Sequence, residues 1–358
     1  MSDAQPIWHP GRMAHRATPL RIRAQMIRAI REFFWGQDFI ECETPALQVS
    51  PGLEPHLQAF KTQFVGLDRK TRRDFYLHTS PEFAIKKLLV AGWPNLFQIC
   101  RVFRNGEQAQ LHQPEFTMIE WYRADATYRD IMADTEAMVR HAAEACGLTQ
   151  LRHGAVVSDP FGAWDYLTVA EAFDRHAGID ILATIGPDDR NPDVNRLAPV
   201  ATEHGYHVAP DDRWDDLFFR IFLDKIEPKL GAGVPTILYD YPISMAALSR
   251  QKAQDPRLAE RFELYICGLE LANAFGELTD PAEQARRFEA DMALKEQLYG
   301  ERYPIDADFI AALEQGMPEA GGIALGIDRL AMVFAGVEHI DEVCWLPVDT
   351  AHDIAPTD

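Results

Sequence analysis

The stretch NLFQICRVFRNGEQAQLHQPEFTMIEWY, residues 95–122, decides how the chain folds. Apolar and aromatic residues crowd its ends and polar ones its middle, so residues 95–103 and 115–123 read as paired strands and 104–113 as the loop between them. Side chains alternate across a strand, which puts Phe116, Met118, Glu120 and Tyr122 on one face and Thr117, Ile119 and Trp121 on the other. Glu120 then sits mid-strand among aromatics. An unpaired carboxylate is costly to bury there, so it calls for a cation, either an Arg or Lys across the sheet or the ammonium group of a ligand.

Upstream, Ile22, Met26, Ile30, Phe33 and Phe34 recur at helical spacing over 19–36, and Phe39-Ile40 begins a short strand broken at Pro45. A strand ends near 76–78. Ser80, Pro81 and Glu82 then read as the N-cap, N1 proline and first-turn acid of a helix reaching Gly92. Downstream, 126–147 reads as a helix, 236–245 as a strand and turn, and 261–278 as two strands joined at Cys267-Gly268. A helix over 281–300 and a strand entering a buried helix over 321–337 complete the pattern. Strand pairs on short loops with interspersed helices predict an α+β domain around a mostly antiparallel sheet. Residues 148–235, with loop signals such as GPDDRNPD at 186–193, carry no assignable motif and read as an insertion into a single domain spanning 1–358.

Composition narrows the function classes. A chain of 358 residues that is 47% hydrophobic can bury a large core. Cys42, Cys100, Cys146, Cys267 and Cys344 are odd in number and never spaced CxxC, which supports neither a disulfide framework nor a zinc knuckle and fits a reducing cytoplasm. No apolar h-region opens the sequence and no run of about 18 apolar residues interrupts it, so neither secretion nor a membrane partner is expected. A net charge of −20 argues against a broad nucleic-acid footprint. Walker A, GxGxxG and HExxH patterns are absent, so any nucleotide site is of another kind.

Two further stretches carry chemistry. Glu263, Glu270 and Glu277 recur in a strand pair rich in small and apolar residues, where two of them could share a divalent cation whose other ligands come from phosphates. Ala272, Ala274 and Gly276 leave room for close approach on one face, with Asn273, Phe275 and Glu277 on the other. In GIALGIDRL, Arg329 falls in the first turn of a helix, where the dipole disfavours a cation, so Asp328 or a bound phosphate should offset it.

Taken in order, these stretches resemble the signature motifs of class II aminoacyl-tRNA synthetases. REFFWGQDFIECETPAL from Arg31 resembles motif 1, the segment 101–122 motif 2, and GGIALGIDRL motif 3. HTSPEFAIKKLL, PTILYDYP and FELYICGLELANAFGELTDP point to the lysyl branch. Motif 1 begins close to the start of the sequence, with no room for an anticodon-binding barrel, so no tRNA anticodon binding is expected. That pattern is similar to the elongation factor P lysine ligases, truncated paralogues that attach (R)-β-lysine to a lysine of elongation factor P. Ala324 and Ser80 agree, since lysyl-tRNA synthetases usually have glycine and alanine there.

The resemblance implies the class II catalytic fold, a homodimer formed through motif 1, ATP and Mg²⁺, and lysine or (R)-β-lysine as the small substrate. Arg104 matches the arginine on the α-phosphate and His112 the residue near the γ-phosphate, while Phe116 and Arg329 match the pair that sandwiches adenine. Asn105, Gly106, Gln113, Leu264 and Gly326 fall within the nucleotide-binding motifs, and Glu263 and Glu270 match the magnesium ligands. Ser80, Pro81, Glu82, Glu120, Tyr122, Glu270, Asn273, Phe275, Glu277 and Ala324 fall at positions that surround the amino acid. Two departures stand out, Gly106 where the family has glutamate and Gln113 where it has asparagine. The motifs nominate no general base for transfer to the acceptor. Ligation to another acceptor, tRNA or a free amine, and a non-catalytic lysine- or nucleotide-binding paralogue are the alternative readings.

Overall fold

The computed structural model describes residues 6–186, 190–246 and 248–348; residues 187–189 of the loop read at 186–193 lie outside them. In chain order the strands are β1 (Ile40–Glu41), β2 (Leu47–Gln48), β3 (Lys61–Val65), β4 (Arg72–Leu77), β5 (Asn95–Phe103), β6 (Glu115–Ala124), β7 (Leu151–His153), β8 (Val156–Ser158), β9 (Asp165–Thr168), β10 (Thr236–Pro242), β11 (Leu258–Ile266), β12 (Leu269–Gly276) and β13 (Ala320–Gly326). The α-helices are α1 (Pro10–Gly36), α2 (Glu82–Val90), α3 (Tyr128–Ala145), α4 (Val169–Ala177), α5 (Val194–Glu203), α6 (Trp214–Ile221), α7 (Pro281–Tyr299), α8 (Ala307–Gly316) and α9 (Ile327–Ala335).

Eight strands form one sheet in the order β1-β5-β6-β13-β12-β11-β10-β9. Its edge pairs β1–β5 and β9–β10 are parallel, and every pair between them is antiparallel. This is the α+β architecture expected, with helices on both faces. Ile119 and Trp121 of β6 and Ile323 of β13 pack under α1, α3 and α9, meeting Phe34, Ile131 and Leu330 in the largest core cluster. Tyr122 turns to the opposite face, where α2, α7 and α8 contribute Phe83, Phe288 and Phe309; the Phe83 and Phe309 rings stack 4.7 Å apart. The alternation read along β6 thus divides a core face from a face that can hold a site.

Segment 148–235 supplies the β7–β8 hairpin, the edge strand β9 and helices α4 to α6. It gathers a cluster of its own in which Phe173, Trp214, Phe218 and Phe222 stack on one another, closed by Tyr241 and Tyr265 from the main sheet.

Three expectations shift. The first helix begins at Pro10, with the His9 ring accepting from the Gly11 N–H, and Pro19 lies inside it. A proline without an N–H signals a helix start, but tertiary contacts override the signal here. Arg16 is buried on the added turns, donating to the Asp341 carbonyl at 2.5 Å. Helix α2 begins at Glu82, one residue later than read, although the Ser80 hydroxyl still accepts from the Glu82 N–H at 3.1 Å. Ala274 is core, buried beneath the helices rather than left open for a ligand.

Candidate active site

A cavity of about 260 Å³ opens on the sheet face away from α1, α3 and α9. Cross-strand register builds its floor. Glu120 stands opposite Ala324, Ala324 opposite Asn273, and Asn273 opposite Glu263, so one row crosses four strands. A second row runs from Tyr122 through Gly322 and Phe275 to Arg261. Gly322 has to lack a side chain, because a Cβ there would lie 2.2 Å from Glu277 Oε1 and 2.3 Å from the Tyr122 ring.

At one end Glu82 lines the cavity, and behind it, buried and off its wall, lie Glu120, Tyr122 and Glu277. Glu120 is fully buried and accepts from the Ser80 hydroxyl at 2.5 Å and the Tyr122 hydroxyl at 2.8 Å. Burial and the charge of Glu82 push its pKa up to about 8, against the opposing pull of those two hydrogen bonds and of Lys86. Glu82 and Lys86 are one helical turn apart on α2 and form an ion pair. Lys86, wholly buried, also reaches Glu277 Oε2 at 2.5 Å. Burial alone would strip Lys86 of its proton, but Glu277 and Glu82 outweigh that and hold it charged. The pull of Lys86 does not overcome the effect of burial on Glu277, whose pKa is raised, and Glu277 Oε1 has no hydrogen-bond donor among the described residues.

At the other end lie guanidiniums. Arg104 sits 5.1 Å over the Phe116 ring, and its Nε is buried without a partner among the described residues. Its nearest acid is Glu107, at 3.9 Å. Arg329 donates to the Glu270 carbonyl at 3.1 Å and the Leu111 carbonyl at 3.4 Å, and its third nitrogen meets His112 Nε2. Burial and the Arg329 charge lower the His112 pKa, so a neutral ring accepts through Nε2. Asp328 does not offset Arg329. It pairs with Arg23 of α1 at 2.5 Å and accepts from the Thr117 N–H, tying α9 and β6 to the first helix.

The magnesium expectation rests on Glu263 and Glu270. A register shift between Leu264 and Tyr265 sets Glu270 opposite Tyr265. Glu263 lies behind the cavity and is held by Arg261 at 2.5 Å, Tyr265 at 2.7 Å and Tyr241. Glu270 lines the cavity, with Arg329, Arg261 and Arg104 acting on it only through their fields. Burial, followed by the Glu263 charge, raises its pKa, as befits a carboxylate with room for a cation. Among the described residues no three metal-ligating side chains cluster, so the donor set fits a cation that takes its remaining ligands from phosphates.

Of the other residues read from the sequence, Ser80, Phe275 and Gly326 line the cavity, whereas Pro81 and Leu264 do not. Asn105 and Gly106 lie beyond it on the loop, where the Asn105 N–H donates to the Gln58 carbonyl at 2.8 Å. Gly106 takes φ +80°, a conformation that strains a side-chain-bearing residue. Gln113 lines the cavity and donates to Asp341 at 2.6 Å. Sequence reading missed Lys86, whose second partner Glu277 is distant in sequence, Arg261 and Tyr241, which both hold Glu263, and Glu54, which lines the cavity from the loop after β2. Lys86 alone left a local trace, in its four-residue spacing from Glu82.

A family model described as tRNA synthetases class II (D, K and N) matches residues 9–350. The elongation factor P (R)-β-lysine ligase of Vibrio cholerae is 40% identical over 334 residues, 93% of this chain and 96% of that protein. The one from Haemophilus ducreyi is 37% identical over 354 residues, 98% of this chain and all of that protein. The lysine–tRNA ligase of Pelotomaculum thermopropionicum is 38% identical over 327 residues, 91% of this chain but 62% of its own length.

Proposed function

The chain belongs to the class II tRNA synthetases of the D, K and N group, and we propose that within it this protein is an ATP-dependent ligase that joins (R)-β-lysine to a lysine side chain of elongation factor P. The observation that carries the reading is one cavity with guanidiniums at one end and buried carboxylates at the other, in a chain matched along almost all of the ligases' length.

In the first half-reaction the amino-acid carboxylate attacks the α-phosphate of ATP, pyrophosphate leaves, and charge grows on the phosphoryl oxygens. Arg104 is the fixed cation for that charge, and its partnerless Nε costs no rearrangement to engage. Phe116 and Arg329 take the two faces of the base, and neutral His112 stands near the outer phosphates. Magnesium would be held by Glu270, with Glu263 behind it, and would supply neutralising charge to the phosphates. At the far end Glu82, Glu120 and Glu277 receive the two ammonium groups of the substrate, and the Ala324 methyl sets how far it can sink between Glu120 and Asn273. The adenylate carbonyl then lies mid-cavity, open to the acceptor amine.

The same reading treats residues 148–235 as an insertion in a single catalytic domain, and takes the protein as a cytoplasmic homodimer. No helix among the described residues is long and apolar enough to cross a membrane. The deciding experiment is the intact mass of elongation factor P after incubation with this protein, ATP, magnesium and either lysine isomer. A gain of one lysyl unit, faster with (R)-β-lysine, is expected; pyrophosphate release with no mass gain would move the search to another acceptor.

A further inference from the structure

Transfer to the acceptor needs a base that the residues so far assigned do not supply. Glu120 is engaged by Ser80 and Tyr122, Glu82 and Glu277 by Lys86, and Glu263 by Arg261. Glu270 stands at the nucleotide end. Of the remaining carboxylates on the cavity wall, Glu107 lies 3.9 Å from Arg104 on the nucleotide side and Asp328 is held by Arg23 and the Thr117 N–H, which leaves Glu54.

Glu54 lines the main cavity with Arg104 and Glu82, and it also lines a smaller side cavity bounded by Ser50, Pro51, Ser80 and Phe83. It therefore stands where the two spaces meet, between the cation assigned to the α-phosphate and the first carboxylate assigned to the amino acid. The bond joining those two parts of an aminoacyl-adenylate is the one the acceptor amine must attack.

The surroundings admit this carboxylate and leave one of its oxygens, Oε2, without a donor among the described residues. A Cβ on Gly52 would lie 2.4 Å from Thr79 Oγ1 and 2.5 Å from Glu54 Oε2, so glycine is what leaves the carboxylate room. The Gly52 N–H is spent on Thr79 Oγ1 at 3.0 Å. Glu54 Oε2 is buried and has no hydrogen-bond partner among the described residues. Burial first, then the charge of Glu82, makes Glu54 more basic than an ordinary glutamate, with a hydrogen bond from its own backbone N–H and the fields of Arg104 and Lys86 offsetting part of this. From α7, Asp291 and Lys295 also feel its charge.

We propose that Glu54 is the general base of the transfer step, accepting the proton that leaves the acceptor nitrogen as it attacks the activated carboxyl group. This rests on the function proposed above. The acceptor ammonium gives one proton to water as it enters the desolvated cavity, which frees the lone pair. The amine adds to the carbonyl carbon, and the nitrogen, now bonded to that carbon, passes its surplus proton to the Glu54 carboxylate. The carbon–oxygen bond to phosphate breaks, its electron pair leaves with AMP, and the amide remains. Glu54 returns its proton to solvent once product departs.

The test separates the half-reactions in full-length Glu54→Gln. Amino-acid-dependent pyrophosphate exchange reports activation. Hydroxamate formation with hydroxylamine, an amine uncharged at neutral pH, reports adenylate attack that needs no such base. Single-turnover mass gain of elongation factor P reports transfer. The first two should stay within about threefold of wild type while transfer falls about 10²- to 10⁴-fold, the usual span for a general base. Glu54→Asp should recover part of the loss, and the acidic limb of the wild-type transfer profile should vanish in Glu54→Gln. Unchanged transfer overturns the proposal, and so does a fall in exchange or hydroxamate matching the fall in transfer, the mark of a binding or folding role. Wild-type protein that forms hydroxamate yet leaves elongation factor P unmodified instead overturns the proposed acceptor, and the step assigned to Glu54 falls with it.

Discussion

At one end of the cavity Glu82, Glu277 and Lys86 neutralise one another inside the protein; at the other, Arg104 keeps a buried Nε without a partner among the described residues and Arg329 leans on a neutral ring and two carbonyls. Both ends are desolvated, so the contrast lies in who supplies the counter-charge. The acidic end is partly compensated by its own lysine and holds its shape without ligand. The basic end leaves its capacity for whatever arrives, and a phosphate chain matches that. Rigid recognition of an ammonium and transition-state stabilisation of a phosphate call for these two different arrangements.

The sharpest way to break the contrast is Lys86→Met. Removing one partner of a buried pair leaves uncompensated charge, and about 3–5 kcal/mol of stability should be lost, read from the midpoint of denaturant unfolding. Lys86→Met combined with Glu277→Gln should recover a substantial part, because the orphaned charge goes too. A single variant as stable as wild type would mean the acidic end is not internally compensated.

Arg104→Ala probes the opposite arrangement. No strong internal ion pair is lost, so the unfolding midpoint should barely move, while amino-acid-dependent pyrophosphate exchange should fall about 10²- to 10³-fold. Smaller again is Ala324→Gly, which deepens the floor between Glu120 and Asn273 by one methyl. It should shift the ratio of rates on α-lysine and (R)-β-lysine toward α-lysine by about 1–3 kcal/mol, measured by pyrophosphate exchange with each isomer.

What could be read in advance follows the range of the interactions. Strands β5 and β6 match within a residue because alternation is local, and the turn at Cys267-Gly268 joins β11 and β12 where expected. Glu120 was legible as a buried carboxylate in need of a cation, yet its nearest donors are Ser80 and Tyr122 rather than a basic side chain. Asp328 pairs with Arg23 across 305 positions, a contact no periodicity reports. Lys86 stands four residues from Glu82, a spacing visible in the sequence, but only the packing of α2 against β5, β6 and α8 brings Glu277 to it as well. The residues of 148–235 were opaque because their order comes from aromatic stacking in a separate cluster, which carries no chemical motif.

The remaining contrast concerns protons. In the free protein burial, together with Glu82, raises the Glu120 pKa to about 8, far above that of an unfolded glutamate. The folded state therefore holds a proton that the unfolded chain has released. The stability this contributes is complete below the unfolded pKa and is lost as pH climbs through about 8, so the melting temperature of the free protein should decline from pH 5 to 8.5. A substrate ammonium needs Glu120 ionised and must displace that proton, so affinity for the diamine should rise with pH, by at most about tenfold per unit for one proton, and level off above the Glu120 pKa. The groups facing Glu120 are Glu82, Lys86, Ser80 and Tyr122, and of these only the Lys86 charge opposes the shift through its field. Calorimetric titration with lysine at pH 7 in buffers of different ionisation enthalpy should thus count a proton released on binding. Glu120→Gln should remove that proton while binding the amino acid more weakly. Release of the same number from the variant would assign the proton to Glu277, whose pKa burial also raises, and show that Lys86 compensates the acidic end less completely than its contacts imply.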